Sequence, residues 1–411
     1  MRVVVQKFGG TSVRDVKARE RVADWVLDSV SRGLAPVVVV SAMGRAGDPY
    51  ATDSLLELIN NFPQAPGEER DLLMMCGEII SATVVAGHLR ERGLKPRVFL
   101  GGDAGIVTDD TFGDAQILEV DPRPLQEALQ QTWIPVVAGF QGKTKQGQGT
   151  TLGRGGSDTT AVAIGAALNA EVVEIFTDVD GIKTADPRIV PDARTITHLD
   201  YDEVFQLANL GARVVHPRAV EIARQFSVPL RVRSTFSQEL GTLVVGGRRT
   251  MDPWAHRDPD HAVTGITQSE NLVQFVVNQD SDAADNWSYR LFSALGDNGV
   301  SVDLINLFPD RVYFCVPKSM APHALETLEK LSFSYDTFSD RAKVSIVGSA
   351  IQGLPGVVGR VMSALTQHHI TVLQSADSHS TITLLLYRSQ MEMAVAALHH
   401  QFGLAEQEPP S

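Results

Sequence analysis

Two glycine-rich stretches combine backbone amides with positive side chains, a combination that suits the binding of anions. The first, Lys7-Phe8-Gly9-Gly10-Thr11-Ser12, follows the β-branched run Val3-Val4-Val5 and precedes a helical pattern at roughly 15–31. Glycines let a backbone approach a phosphate closely, and the free N–H groups at a helix start point at it. The spacing matches neither the GxxxxGK[ST] nor the GxGxxG motif, so a simple tight turn is the alternative interpretation.

The second stretch, Gly153-Arg154-Gly155-Gly156-Ser157-Asp158, opens the apolar helix predicted at 159–170. An arginine among glycines suits a bidentate grip on a carboxylate or phosphate. Asp158 could accept a proton or position other charged groups. Ser157 and Asp158 are also good N-cap residues, which is the purely structural interpretation. The preceding residues 142–153, GKTKQGQGTTLG, are predicted to form a flexible lid.

Other acidic side chains are weaker candidates for ligand contacts. Glu78 lies within an otherwise apolar helical pattern, where a ligand contact and a capped or solvated residue are both open. Asp178 and Asp180 follow a predicted strand, but the further acidic ligands of an EF-hand are missing. These two residues are therefore interpreted as part of a strand-end loop. The histidines show no metal-ligand spacing, and a polar turn at 211–218 precedes another helix.

These stretches lie at the ends of apolar runs that alternate with helical patterns. The runs cover residues 3–5, 36–41, 97–100, 134–140, 172–177 and 230–233. Continuous β-branched runs separated by helices predict an α/β fold with a mostly parallel sheet covered on both faces. Ligands bind at the carboxyl ends of strands in such sheets, so the polar residues after each run are the candidate site.

Composition sets limits on the class of protein. The chain has 411 residues and a formal net charge of −13, which disfavours nucleic acid or an anionic membrane as the main partner. Its two cysteines, Cys76 and Cys315, exclude a disulfide framework. It opens with no signal peptide and shows no apolar run of about 20 residues. We therefore expect a soluble, cytoplasmic protein of two or three domains.

A loss of apolar periodicity at 246–262 marks a predicted linker after a domain at 1–245. Beyond it, Leu291-Phe292-Ser293-Ala294-Leu295 is echoed by Val361-Met362-Ser363-Ala364-Leu365, and each copy is a helix between strands. The order predicts two tandem βαββαβ modules at 263–340 and 341–411. A C-terminal strand could complete the first module. The modules could serve packing alone or bind a small regulator.

Taken together and in order, the two glycine stretches and the run from Thr177 to Arg188 resemble the aspartate kinase (aspartokinase) family. The resemblance covers nearly the whole chain, because the tandem modules look like the paired ACT domains of that family. It implies an amino-acid-kinase-type αβα sandwich followed by two ferredoxin-like ACT modules. No fused homoserine dehydrogenase follows, so the chain resembles the monofunctional type.

The resemblance implies transfer of the γ-phosphoryl group of ATP, with Mg²⁺, to the β-carboxylate of L-aspartate. The implied catalytic residues are Lys7 and Asp158. The implied ATP contacts are Lys7, Phe8, Gly9, Gly10, Ser41, Thr177, Asp178, Lys183, Asp186, Pro187, Arg188 and Arg213. The implied substrate contacts are Thr52, Glu78, Arg154, Gly155, Gly156 and Ser157.

Two departures from the family pattern concern the nucleotide and the effector. Arg213 stands where the family usually has lysine, and the two side chains differ in shape and hydration. The first module lacks the Pro-Gly pair that the second keeps at Pro355-Gly356. The run Gln374–His379 resembles the diaminopimelate-sensitive isozymes of Bacillus-type bacteria, so diaminopimelate is the favoured effector, with lysine or threonine as alternatives. Ser301, Val302 and Asp303 match an effector loop of lysine-sensitive members.

The family also implies a homodimer or larger assembly through the ACT modules, and Met251 could start a separate regulatory subunit. Two other functions stay open at this point. One is an amino-acid kinase for another substrate, such as glutamate or acetylglutamate. The other is an amino-acid sensor with an inactive kinase domain, although the presence of Lys7, Arg154 and Asp158 argues against it.

Overall fold

The computed structural model of the chain describes residues 1–212, 214–246, 262–279, 286–348, 351 and 354–405. They form two compact units. Unit 1 comprises Met1–Ile182, Thr195–Ala208 and Arg213–Arg248, and unit 2 comprises Lys183–Arg194, Asn209–Ala212 and Arg249–Ser411. Arg213, Met251, most of the predicted linker and residues 280–285, before the helix of the first module, lie outside the described residues.

Unit 1 alternates strands and helices, as the apolar runs predict. Its strands are β1 Val3–Phe8, β2 Ala35–Val40, β3 Pro96–Phe99, β4 Ile106–Thr108, β5 Ile117–Val120, β6 Ile134–Ala138, β7 Gln141–Thr144, β8 Gly149–Thr151, β9 Val172–Thr177, β10 His198–Leu199, β11 Leu230–Ser234 and β12 Thr242–Val244. Its helices are α1 Gly10–Val13, α2 Val16–Ser31, α3 Thr52–Asn60, α4 Gly67–Glu91, α5 Arg123–Gln130, α6 Gly156–Ala167, α7 Tyr201–Leu210 (whose last two residues belong to unit 2) and α8 Pro217–Phe226.

The main sheet has the strand order β10-β12-β11-β9-β1-β2-β6-β3. Strand β1 lies in the middle and pairs in parallel with β2 on one side and β9 on the other. Four consecutive valines of β2, Val37–Val40, are fully buried, which is the behaviour of a strand covered on both faces. The prediction of a mostly parallel sheet is confirmed. It brings the carboxyl ends of β2, β1 and β9 to one edge, side by side.

Helix α4 covers one face of this sheet. Among the described residues it is the one helix with the length and apolar composition of a membrane span, and half of that stretch is buried inside the structure. Its residues Ala82, Val85 and Leu89 pack in one cluster with Val38 and Val136 of the sheet. That packing is typical of a core helix.

The predicted lid at 142–153 is instead a β-hairpin. Strands β7 and β8 pair antiparallel within a small four-stranded sheet of order β5-β4-β7-β8. Thr150 and Thr151 are fully buried. The backbone N–H and the hydroxyl of Thr151 both donate to the Asp71 carboxylate, at 2.7 and 2.9 Å. The prediction of a flexible segment was wrong because this buried partner lies 80 residues away in the sequence.

Unit 2 contains the tandem modules. Its strands are β13 Gly265–Ser269, β14 Leu272–Asn278, β15 Asp303–Leu307, β16 Arg311–Pro317, β17 Ser334–Phe338, β18 Arg341–Val347, β19 Val372–Asp377 and β20 Thr381–Tyr387. Its helices are α9 Trp287–Asp297, α10 Ala321–Lys330, α11 Val357–Gln367 and α12 Met391–Gln401. They form two antiparallel sheets of order β15-β16-β14-β17 and β13-β18-β20-β19.

The modules complete their sheets differently. The first uses its own fourth strand, β17, and among the described residues no C-terminal strand joins its sheet, so that expectation was wrong. The second is completed by β13, which lies at the start of the predicted first module (263–340) but pairs antiparallel with β18. Without β13 the edge of β18 would be left unpaired, which proteins avoid. Ile266 of β13 is buried in the core of the second module.

One segment between β9 and β10 belongs to unit 2. Ala185, Val190 and Ala193 are buried in the core of the second module. The Thr184 hydroxyl lies 2.9 Å from Nε2 of His399 on α12. The backbone carbonyl of Thr184 accepts a hydrogen bond from the Ile266 N–H. Unit 2 thus includes residues from within the predicted 1–245 domain.

Candidate active site

The turn after β1 is built for close backbone approach. The Gly9 N–H donates to the Phe176 carbonyl of β9, and the Ser41 N–H donates to the Phe8 carbonyl. A Cβ at Gly10 would lie 2.3 Å from the Gly44 carbonyl oxygen, so only glycine fits. The turn is thereby held between the two neighbouring strand ends. It leads into the single turn α1 before the predicted helix α2.

Lys7 and Asp158 form an ion pair at this edge. Lys7 Nζ lies 2.7 Å from Asp158 Oδ1, and the two side chains are 12% and 11% exposed. Asp158 lies in the first turn of α6, which packs against β1. Its other oxygen, Oδ2, accepts the backbone N–H of His216 at 3.2 Å. The two predicted catalytic residues, Lys7 and Asp158, are therefore in direct contact, and the Asp158 carboxylate fixes the position of the Lys7 ammonium group.

The second glycine stretch exposes one cation. Gly153 and Gly155 have left-handed backbones with φ of 71° and 70°, and α6 begins at Gly156. Between them, Arg154 is exposed and pairs with none of the described residues. Ser157 is buried next to Gly139, where a Cβ would lie 2.9 Å from the Ser157 hydroxyl. The stretch thus presents an unpaired guanidinium beside the start of α6.

A second ion pair bridges the strand ends on either side of β1. Arg45 Nη2, from the loop after β2, lies 2.5 Å from Asp178 Oδ2, at the end of β9. The Thr177 hydroxyl donates to Asp178 Oδ1 at 3.1 Å. Because β2 and β9 flank β1, this pair spans the end of β1. Arg45 is not among the residues predicted from the sequence; the signal for it is a basic residue in the polar loop after β2.

Glu78 is a buried carboxylate near the same loop. Its side chain is 2% exposed, and Oε1 accepts the Ala42 N–H at 3.0 Å. Oε2 is buried with no hydrogen-bond partner among the described residues. Burial raises the pKa of Glu78 to about 8. Ser41 and Thr52, which begins α3, are half-buried at the two ends of this loop.

The other predicted site residues lie in unit 2 or outside the described residues. Arg188 makes a bidentate pair with Asp186, whose pKa is lowered by those hydrogen bonds. These two residues, with Lys183 and Pro187, lie in the unit 2 segment Lys183–Arg194. Arg213 is outside the described residues.

The predicted effector loop also lies in unit 2. Ser301 is exposed, Val302 is half-buried, and Asp303 begins β15. Asp303 Oδ2 lies 2.5 Å from Lys343 Nζ on β18. The loop of the first module is thereby linked to the first strand of the second module.

Comparisons with known proteins agree with this geometry. Residues 2–234 match the model of the amino acid kinase family, and residues 339–400 match an ACT domain. Aspartokinase 1 of Bacillus subtilis (strain 168) is 43% identical over 410 residues, covering 99% of this chain and 100% of that protein. An aspartokinase of Thermus thermophilus is 39% identical over 98% of this chain and 99% of its own length.

Solved structures give the same picture. Aspartokinase III of E. coli in complex with aspartate and ADP superposes with a TM-score of 0.79 at 26% identity, covering 97% of this chain and 99% of that one. Aspartate kinase from Synechocystis has the same TM-score and identity over 99% of both chains. The chain therefore belongs to the amino acid kinase family and, within it, to the aspartokinases.

Proposed function

We propose that this protein transfers the γ-phosphoryl group of ATP to the β-carboxylate of L-aspartate, giving 4-phospho-L-aspartate and ADP. The observation that carries the proposal is the Lys7–Asp158 pair beside the unpaired Arg154 at one sheet edge. An E. coli aspartokinase solved with aspartate and ADP, of the same fold, supports the choice of substrates. The product would feed the biosynthesis of diaminopimelate, lysine, threonine and methionine.

The chemistry asks mainly for alignment and charge neutralisation. A β-carboxylate oxygen attacks the γ-phosphorus, and the bond from that phosphorus to the bridging oxygen of ADP breaks. The carboxylate is already ionised at neutral pH, so no strong general base is needed. Lys7 would neutralise negative charge on the phosphoryl group during its transfer. The backbone amides at Gly9 and Gly10 would bind the phosphates of ATP. Asp158 would hold Lys7 in position until the nucleotide arrives.

ATP would be used as its Mg²⁺ complex. Among the described residues no group of three or more His, Cys, Asp and Glu side chains could hold a metal alone. Mg²⁺ commonly binds through substrate phosphates, waters and one or two carboxylates. Asp158, beside Lys7, and Asp178, directly after β9, fit that requirement. When bound, the ion would neutralise charge on the phosphates.

Aspartate would be held by the glycine stretch and its neighbours. The exposed guanidinium of Arg154 suits a bidentate contact to a carboxylate, with Gly155, Gly156 and Ser157 supplying amide and hydroxyl groups. Glu78 would pair with the ammonium group, and Thr52 would contact the same ligand. The nucleotide would also be contacted by Phe8, Ser41, Thr177, Asp178, Lys183, Asp186, Pro187, Arg188 and Arg213.

We further propose that the ACT modules carry feedback regulation and dimerise. Diaminopimelate is the proposed effector, with lysine or threonine as alternatives, and Ser301, Val302 and Asp303 are the proposed effector contacts. An E. coli aspartokinase III solved with lysine and aspartate has a TM-score of 0.75 to this chain. The proposed location is the cytoplasm, with no nucleic acid or membrane partner. Calorimetry with each amino acid in turn tests the effector.

A substrate panel tests the proposed activity. The full chain is supplied with MgATP and either L-aspartate, L-glutamate or N-acetyl-L-glutamate, and ADP release is measured. Hydroxylamine traps an acyl phosphate as a hydroxamate, so the product is identified independently. We expect turnover and hydroxamate with aspartate alone. Phosphorylation of glutamate but not aspartate, or no ADP release above that of Lys7→Ala, would contradict the proposal.

A further inference from the structure

Helix α8 begins next to the second glycine stretch. His216 is the N-cap of α8 with an extended backbone, and α8 packs against α6. In the segment His216-Pro217-Arg218, here named the brace, His216 contacts that stretch and Arg218 contacts Leu152, the residue immediately before it. From the sequence, residues 211–218 are predicted only as a polar turn.

His216 contacts the C-terminal end of the stretch. Its backbone N–H donates to Asp158 Oδ2 at 3.2 Å. A Cβ at Gly155 would lie 2.1 Å from His216 Cγ, so the imidazole occupies the space that a side chain at Gly155 would need. The ring Nδ1 is buried with no partner among the described residues, and burial lowers the pKa of His216. The ring therefore packs as a neutral group.

Arg218 contacts the chain immediately before the glycine stretch. Its side chain is 21% exposed. Nη1 donates to the Leu152 carbonyl at 3.1 Å, while Nη2 donates to the Ala115 carbonyl at 2.9 Å and to Gln116 Oε1 at 2.7 Å. Nη1 also lies 3.5 Å from Asp114 Oδ1, an atom that a Cβ at Gly153 would approach to 2.4 Å. Arg218 thus fixes Leu152 and the loop that packs on Gly153, immediately before Arg154.

Strand β8, which ends immediately before Leu152, is also fixed. The buried Asp71 carboxylate accepts the N–H and hydroxyl of Thr151, and Oδ2 also accepts the Gly113 N–H at 3.1 Å. Asp71 and Arg218 therefore hold the chain at Thr151 and Leu152, whereas Arg154 has no partner among the described residues. This is the arrangement needed to aim a ligand-binding side chain without occupying it.

We propose that the brace positions the acceptor half of the site, with Arg218 placing Arg154 through Leu152 and Asp114, and His216 placing Asp158. This inference rests on the proposed function. Neither brace side chain needs to touch a substrate, so both are positioning residues. Because Arg218 contacts Leu152 and the loop at 114–116, on the side of Arg154, its loss should impair aspartate binding more than ATP binding.

The test compares arginines on the same helix. In Arg218→Met the stem is kept and the donors are lost, whereas Arg218→Lys keeps the charge without the planar fork. Arg224→Met removes an exposed arginine that pairs with Asp202 and serves as the matched control. We expect Arg218→Met to raise the KM for L-aspartate about tenfold to a hundredfold, with the KM for ATP changed less than about twofold. Arg218→Lys should give an intermediate increase, and Arg224→Met none.

The wild type is assayed first, so failure of the proposed function would be seen there as an absence of aspartate phosphorylation. Folding of each variant is checked by urea unfolding. Should Arg218→Met not fold, Arg218→Lys decides the question by the same KM ratio. Equal changes in the two KM values, or an unchanged KM for aspartate in a folded Arg218 variant, would overturn the inference.

Discussion

Lys7 Nζ and Asp158 Oδ1 lie 2.7 Å apart, as a nearly buried ion pair that joins strand β1 to the first turn of α6. The pair connects the two glycine stretches, which are separated by more than 140 residues in the sequence. The lysine is thereby fixed at the edge of the sheet before any nucleotide binds. Preorganised charge of this kind contributes most in a transition state.

Replacing Lys7 by methionine should therefore affect turnover more than nucleotide affinity. We expect kcat to fall about 10²–10³-fold, which corresponds to about 3–4 kcal/mol of transition-state stabilisation. Steady-state kinetics with MgATP and L-aspartate measures it. Lys17→Met, on the exposed face of α2, is the control and should retain wild-type turnover. A kcat for Lys7→Met within a few-fold of the wild type would contradict the assigned role.

Glu78 should make stability depend on pH. Its pKa is raised to about 8 in the folded protein, from an ordinary value of 4.5. Between these values the unfolded chain loses a proton that the folded chain keeps, so this stabilising contribution is complete below about pH 4.5 and is lost as pH rises towards 8. The slope attributable to one such group is about 1.4 kcal/mol per pH unit.

Urea unfolding of the wild type and of Glu78→Gln from pH 5 to pH 8 tests this. We expect the variant to lose less stability across the range, because its amide does not titrate. Glu57→Gln, an exposed glutamate on α3, should behave as the wild type. Parallel pH profiles for wild type and Glu78→Gln would show that Glu78 ionises normally.

The same buried carboxylate should couple substrate binding to proton release. A cationic ammonium beside Glu78 would favour the ionised form and lower its pKa. At pH 7, binding of L-aspartate should therefore release protons. Calorimetry in buffers with different ionisation enthalpies measures that number, and Glu78→Gln should abolish the release. Proton release that persists in the variant would assign it to another group.

The predictable parts of the fold are those with local signals. Strands β1, β2, β6 and β9 were predicted from continuous β-branched runs, since burial on both faces leaves no polar alternation. No local signal shows that β13 pairs with β18 and completes the sheet of the second module. The internal repeat predicts the order of helices and strands along the chain. It does not predict which strand pairs with the free edge of a sheet, because that strand can come from elsewhere in the sequence.

The site residues also differ in whether a local sequence signal predicts them. Lys7, Arg154 and Asp158 were identified because glycines beside charged residues form a local pattern. Arg45, His216 and Arg218 were missed because their roles depend on partners 133, 58 and 66 residues away. The hairpin at 141–151 was mistaken for a lid since its polar composition hides the bonds from Thr151 to Asp71.

Arg45 should matter for the nucleotide and little for stability. Its pair with Asp178 is largely exposed, and exposed pairs stabilise folds by about 0–1 kcal/mol. The pair nevertheless spans the end of β1, where phosphates are proposed to bind. We expect Arg45→Gln to raise the KM for ATP about fivefold while the urea midpoint is unchanged. Arg32→Gln, which breaks an exposed pair with Asp28, should change neither, and an unaltered KM in Arg45→Gln would remove Arg45 from the site.

Gly155 and Gly33 offer a matched test of close packing beneath the glycine stretch. Both have left-handed backbones, with φ of 70° and 74°, so alanine should cost about 1 kcal/mol at either position from backbone strain alone. A Cβ at Gly33 meets nothing within 4 Å, whereas one at Gly155 would lie 2.1 Å from His216 Cγ. Gly155→Ala should therefore unfold at a clearly lower urea concentration than Gly33→Ala.

Activity should separate these variants further. Displacement of His216 in Gly155→Ala would move the N–H that holds Asp158, so kcat should fall by about tenfold or more. Gly33→Ala lies in the turn after α2 and should keep wild-type kinetics. Equal stability and equal kcat in the two variants would mean that the His216 ring moves aside without consequence, so that contact would have no role in setting the Lys7–Asp158 pair.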